Sequence, residues 1–180
     1  MTPTAAFPSE LADRIRLPNH RLLHVRPLRT CGTGPIRELF SRLSPRTRYH
    51  RFLSPMPVLP DSVLNLITCV DYRRQLALLA ELDAADRTEV VALGSFGAID
   101  DGTAEVGLVV GDEWQRQGIG TALATSVLQA AEARGFTRFV AHMLSDNAVI
   151  RKVLDRVGHV LSTRTRQGVS EVSFIRRPRE

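Results

Sequence analysis

The stretch DEWQRQGIGTAL, Asp112–Leu123, sets two glycines and two glutamines around one arginine, after an apolar run and before a long helical pattern. A helix N-terminus presents about four unpaired backbone N–H groups and a partial positive charge. Glycines at 118 and 120 leave such amides open to an approaching anion, so this turn has the chemistry of a diphosphate cradle. A dinucleotide turn calls for a third glycine three residues after the second, where this chain has Leu123, and the preceding strands read as antiparallel. A phosphate loop ending in Gly-Lys-Ser/Thr is absent. Coenzyme A is the candidate that remains.

A second candidate group lies just upstream. In TAEVGLVVGD the alternation of a strand puts Glu105, Gly107 and Val109 on one face, with Gly107 leaving space beside the carboxylate. Taken alone, Glu105 reads either as a proton acceptor or as a solvated carboxylate on an open sheet face. Of the five histidines, His20 and His24 have i, i+4 spacing, but the surrounding proline and strand patterns argue against a metal helix. No third ligand has matching spacing, so no metal is expected. His142 falls on a strand, either near a reacting group or at an ordinary edge position. Trp114 reads as a packing anchor.

The elements that must hold these residues follow from periodicity. Residues 1–20 carry three prolines and no sustained pattern, and read as an N-terminal arm, loose or lightly docked as a helix. Residues 21–180 read as one domain. RLLHVRPL, Arg21–Leu28, alternates as a first strand. Pro35 opens a helix with Ile36, Leu39, Phe40 and Leu43 on one face. Ser44 and Pro45 form a cap and first position for a second helix, and Asp61 is expected to cap a third, reaching about Val70. QLALLAELDA and EVVALGSFGAID read as a hairpin around the charged turn ADRTE, and Asp101-Gly102 turns the chain into a third antiparallel strand. A helix is expected from about Gly118 to Arg134, ended by Gly135. TRFVAHML is a strand, Asp146 is expected to cap a helix ending near Gly158, and HVLSTRTR with VSEVSFIRR closes the sheet as a hairpin.

Composition narrows the function classes. Hydrophobic residues make up 43% of the chain, which fits a folded domain. No apolar run reaches the roughly 20 residues needed to cross a bilayer, and the N-terminus lacks the basic start and apolar core of a secretion signal, so no membrane partner is expected. Two cysteines, Cys31 and Cys69, make no disulfide framework, and a cytoplasmic setting is the default. The net charge is +5, with Lys152 the only lysine among 24 basic residues. The arginines are scattered and few aromatics interleave with them, so they read as ordinary surface charge, and no nucleic-acid partner is expected.

The segment Gln115-Arg116-Gln117-Gly118-Ile119-Gly120 matches the Q/R-x-x-G-x-G/A signature of the GCN5-related N-acetyltransferases, the GNAT family. SDNAVIRKVLDRVGH resembles a later block of that family, with Asn147 and Gly158 in place. The segment from Leu39 to Leu82 resembles the acetyltransferase domain of bacterial Pat-like protein lysine acetyltransferases. The resemblance runs from about Arg21 to the C-terminus.

It implies an α/β (α+β) fold, with a mixed, mostly antiparallel central sheet, a splayed strand pair and flanking helices. It also implies acetyl transfer from acetyl-CoA to a primary amine, a protein lysine foremost, with homodimerisation left open. A small-molecule amine acceptor, or a non-catalytic acyl-CoA-binding module, is the alternative. The glutamate of the AE position is the relatives' general base, a role that falls on Glu105. Backbone groups near Val109 and Val110 would pair with the pantetheine arm. The backbone across Gln115, Arg116, Gln117, Gly118, Ile119 and Gly120, with Thr121, would hold the diphosphate. Asn147 would bind the cofactor or cap its own helix. Leu154 stands where many relatives carry a tyrosine acid, and His159 replaces the phenylalanine after the glycine. The leaving thiolate would then take its proton from solvent, unless Tyr72 or Tyr49 serves from another element.

Overall fold

The apolar periodicities become elements in a computed structural model, which describes residues 5–178. The first departure is N-terminal. After a short 3₁₀ turn at Ser9–Leu11, Asp13–Arg16 forms strand β1, antiparallel to β2 (Leu22–Pro27), where an arm was expected. Only Ile15 in β1 is apolar, so this edge strand carries almost no alternation to read. The part of the arm in residues 1–4 lies outside the described residues.

Three helices follow. In α1 (Gly34–Arg42), Ile36, Leu39 and Phe40 face the core. In α2 (Pro45–Phe52), Ser44 caps as its type predicts, its Oγ accepting the Thr47 N–H at 3.2 Å. Helix α3 runs Asp61–Thr68, and its cap position is Pro60, not Asp61. Asp61 instead occupies the first helical position, where a carboxylate favours the helix dipole and accepts a hydrogen bond from Arg37 Nη2 at 2.6 Å.

Strands β3 (Gln75–Ala84) and β4 (Arg87–Ala98) pair as a hairpin whose turn is only Ala85–Asp86. Arg87, Thr88 and Glu89, expected in the turn, belong to the strand because Ala84 pairs directly with Arg87. Strand β5 (Thr103–Val110) follows β4 antiparallel, then α4 (Ile119–Glu132) crosses to β6 (Arg138–Leu144), which lies parallel to β5. Helix α5 (Ala148–Val157) is capped by Asn147 and not by Asp146: Asn147 Oδ1 accepts the Ile150 N–H at 3.2 Å. Strands β7 (Gly158–Arg166) and β8 (Val169–Arg176) close the sheet as a hairpin.

The result is one eight-stranded sheet in the order β1-β2-β3-β4-β5-β6-β8-β7, antiparallel except at β5–β6. Helix α4 packs on one face through Ile119, Leu123, Val127 and Ala131, all buried. It comes so close to β4 that a Cβ at Gly94 would lie 2.8 Å from Val127 Cγ2. The first helices cover the other face, where Leu39, Phe40 and Leu43 share a small apolar cavity with Leu93 and Val109.

Candidate active site

Strands β5 and β6 pair at only three positions, Thr103–Arg138, Ala104–Phe139 and Glu105–Val140. Beyond Glu105 they diverge, although β5 continues to Val110 and β6 to Leu144. A wedge therefore opens in the sheet, and its β5 edge presents main-chain groups. The Gly111 N–H donates to Val91 O of β4 at 2.8 Å, so the Val110 carbonyl on the same trans peptide points the other way, into the wedge. Strand alternation then turns the N–H and C=O groups of Leu108 and Val110 to the wedge, and those of Val109 toward Leu93 of β4. Of the pair expected at this edge, Val110 lines the wedge, and Leu108 takes the place expected for Val109. Side-chain patterning could not separate the two, because it reports faces and not hydrogen-bonding edges.

The glycine turn closes one end of the wedge. Gly118 caps α4 in the left-handed region, φ +88°, and Arg116 is also left-handed at φ +62°. Among the described residues, no protein acceptor meets the backbone N–H groups of residues 116–121. These six donors, at the positive end of a 14-residue helix, suit a diphosphate. The glycines serve for reasons other than bare access. A Cβ at Gly118 would lie 2.9 Å from Pro18 Cδ, in the turn between β1 and β2. Gly120 points inward, toward Val153, Leu108 and Val110, at ordinary contact distances. Ile119 is fully buried and pins the turn to the core. Gln117 holds the turn from outside, its Oε1 accepting from Asn19 Nδ2 at 3.2 Å. Arg21 Cζ lies over the Trp114 ring, 4.8 Å from the ring centroid, as it would over a packing anchor.

Gln115 reaches back across the wedge, its Nε2 donating to Val110 O at 3.1 Å and to Thr47 Oγ1 at 3.3 Å. Asp112 extends the same bracing. It accepts from Ser44 N at 2.8 Å, Ser44 Oγ at 2.6 Å and Thr47 Oγ1 at 2.7 Å. Helix α2 and the glycine turn are thus tied through one carboxylate. Burial pushes that carboxyl upward, but the Ser44 and Thr47 hydrogen bonds outweigh it and hold it below the usual carboxylate range. A depressed group stabilises the fold above its unfolded value, near 3.9, and the contribution is lost as pH falls through the folded value. Asp112→Ala is expected to cost about 1–2 kcal/mol at neutral pH. That corresponds to a drop of roughly 2–8 °C in Tm for a chain of this size. In thermal melts at falling pH, the gap between wild type and variant should close below about pH 4.

Glu105 sits on the sheet face opposite α4 and is half exposed. Its Oε1 lies 3.0 Å from His142 Nδ1, and His142 Nε2 lies 3.4 Å from Glu171 Oε2. The three side chains form a row across β5, β6 and β8, with His142 directly opposite Glu171. A neutral imidazole can donate to only one of these carboxylates. The space expected beside Glu105 at Gly107 is filled: a Cβ there would lie 2.5 Å from Arg51 Nη2 and 2.8 Å from Arg51 Cζ. The open flank is Gly97, opposite Glu105 on β4, where a Cβ would meet nothing within 4 Å. Burial lowers the Arg51 guanidinium from the usual arginine range, while the charge of Glu105 opposes the shift.

The remaining expected residues lie nearby or away. Asn147 is 92% covered and engaged as a cap, the second of its two alternatives. Thr121, in the first turn of α4, keeps its N–H unpaired. Leu154 packs in the core. Tyr72 is buried, its hydroxyl accepting from Thr30 N at 2.8 Å, while Tyr49 is exposed on α2. Sequence reading missed Arg51, Glu171 and Gly97, because no local spacing ties α2 or β8 to β5. A further open cleft of about 610 Å³ lies at the β1 end of the sheet. Among its lining residues Arg26 pairs with Glu81 at 2.7 Å, and His24 lies 3.3 Å from Asp83.

Known proteins share this chain's sequence pattern and its fold. The sequence model of the acetyltransferase (GNAT) family matches residues 38–159. An acetyltransferase of Pseudomonas aeruginosa is 25% identical over 145 residues, covering 80% of this chain and 78% of that protein. Acetyltransferase Pat of Mycolicibacterium smegmatis is 35% identical over 100 residues, 49% of this chain, which spans 30% of that longer protein. The fold matches the GNAT domain of S. lividans Pat with a TM-score of 0.83, at 23% identity, over 94% of this chain and 99% of that one. It also matches yncA of Salmonella typhimurium, solved with acetyl-CoA, with a TM-score of 0.65 at 17% identity, over 84% and 91% of the two chains.

Proposed function

This chain belongs to the acetyltransferase (GNAT) family, and from that premise we propose that its acceptor is a protein lysine and that Glu105 is the general base. As a member of that family it is an N-acetyltransferase that uses acetyl-CoA and acts on an amine. The observation that carries the residue assignment is the placement of Glu105 at the last paired position before the wedge opens, on the face left accessible by Gly97. The resemblance of residues 39–82 to Pat-like protein lysine acetyltransferases, alongside the 35% identity to acetyltransferase Pat, supports a lysine acceptor.

The donor supplies an activated thioester, and the residues of the chain divide the remaining work. The unpaired amides of residues 116–121 hold the diphosphate at the positive end of α4. Wedge-facing groups of Leu108 and Val110 pair with the pantetheine arm. Their N–H groups also meet the oxyanion that forms as the amine adds to the carbonyl carbon, a contribution on the order of 3 kcal/mol for one such donor. A free lysine amine titrates near 10.4, so it must lose a proton to attack. Glu105 accepts that proton, directly or through one water, and His142 holds its Oε1 so that Oε2 is left for the amine. The C–S bond then breaks, and because Leu154 carries no acidic group, solvent protonates the thiolate.

The test is purified protein with acetyl-CoA against a panel of lysine-bearing proteins and small amines, read as free thiol released and acetyl-lysine formed. Acetylation of lysine side chains at rates well above those of free amines is expected. Thiol release confined to small amines would overturn the lysine assignment, and none with any acceptor would overturn the proposed reaction of this chain.

A further inference from the structure

Arg51 lies in the last turn of α2 and ends on β5. Its guanidinium occupies the place a side chain at 107 would take, so Gly107 is its seat. Nε is buried and meets no acceptor. Among the described residues Arg51 makes no ion pair. Its surroundings are apolar: Phe52 lies 5.3 Å away from ring centroid to Cζ, and Leu93, Val109 and Phe40 line the cavity beside it. Arg48, on the same helix, also has an unpartnered Nε, but its Nη1 donates to Pro57 O at 2.6 Å and its guanidinium stacks on Phe40 at 4.3 Å. Arg48 is thus held by its own chain, and Arg51 is not.

Arg51 is only partly covered, but its buried Nε is closed to water and meets no acceptor, and an anion at the fork would complete it. Among the described residues, the carboxylate charge that bears on Arg51 is that of Glu105, two residues along the same face of β5 and beyond ion-pair distance. The accessible face therefore sets a negative group for an amine next to a positive fork without a ligand. We infer that Arg51, seated on Gly107, is a carboxylate-binding subsite that reads an acidic group on one of the two reactants. That group sits either beside the acceptor amine, as in an acidic residue flanking a lysine, or at the far end of the acyl chain. The planar fork binds a carboxylate through two parallel hydrogen bonds, a geometry that lysine or glutamine cannot supply. The inference rests on the acyl-transfer reading above and specifies its substrate.

The experiment compares wild type, Arg51→Met and Gly107→Ala, the last displacing the guanidinium while retaining its charge. In the acceptor arm, lysine peptides with a glutamate beside the lysine are matched to the same peptides with glutamine, and kcat/KM is compared with acetyl-CoA as donor. In the donor arm, succinyl-CoA is matched to butyryl-CoA, and Kd is read by calorimetry without an acceptor. Wild type should favour the acidic member about 10–100-fold in one arm, the range for a charge-assisted bond. Arg51→Met should abolish that preference and Gly107→Ala should reduce it. The arm that responds identifies which reactant carries the acid. Equal treatment of both members in both arms, or a preference that survives Arg51→Met, overturns the inference. If no peptide is acylated the reaction proposed above fails, while calorimetry of the peptides on the acetyl-CoA complex and of the donors still decides for or against the subsite.

Discussion

Glu105→Gln is expected to lower kcat by about 10²–10⁴-fold, the range of a lost general base, while Kd for acetyl-CoA stays at the wild-type value. Glutamine keeps the shape of the side chain and a polar contact with His142, 3.0 Å away, but it cannot accept the proton of an ammonium group. The amides of residues 116–121, proposed to hold the donor, lie across the wedge on α4 and its preceding turn, so the substitution leaves them untouched. The deficit should also depend on pH with a definite sign. As pH rises toward the amine's own value near 10.4, more of the acceptor arrives deprotonated and the missing base matters less. A variant whose deficit is constant from pH 7 to 10 would assign Glu105 to binding instead. Unchanged kcat at pH 7 would remove it from the proton transfer altogether. Stopped assays of thiol release across that range make the distinction.

The second large effect concerns Gly118. Its φ of +88° costs an ordinary L-residue roughly 1–2 kcal/mol, and a β-branched one more. A Cβ would also lie 2.9 Å from Cδ and 3.3 Å from Cγ of Pro18, a rigid ring that cannot swing aside. Gly118→Val therefore forces either the cap of α4 or the β1–β2 turn to move, and the amides lose their convergence. An increase of at least about tenfold in Kd for acetyl-CoA is expected, matching 1.4 kcal/mol or more, together with a lower Tm. Gly120→Ala is the control. Its Cβ would find Val153, Leu108 and Val110 at 3.5–3.6 Å, ordinary contacts, so donor affinity should change little. Wild-type affinity in Gly118→Val would show that these amides do not hold the diphosphate.

The structural placement of both positions follows from local sequence. Gly118 and Glu105 were both legible, because a strand shows its faces through a period of two and a helix start through the residues that cap it. By the same route Ser44 and Pro45 located α2, the helical pattern from about Gly118 located α4, and the β7–β8 hairpin fell where expected, while the β3–β4 hairpin turns over Ala85–Asp86 alone. Boundaries were less secure wherever two adjacent residues could do one job. Asn147 caps α5 in place of Asp146, and Pro60 stands at the cap of α3 in place of Asp61. In each case one turn of backbone geometry selects the residue, and side-chain type alone does not.

The sequence by itself determined the order and type of most elements, the anion-ready turn and the face on which Glu105 lies. All of these depend on interactions between residues within about four positions of one another. Tertiary structure decided that β1 joins the sheet, that Leu108 and not Val109 edges the wedge, that Pro18 rests on Gly118, and that Arg51 takes the space beside Glu105. Each of these joins segments far apart in the chain. Such approaches are set by which apolar faces bury one another across the whole domain, and no local spacing records that choice.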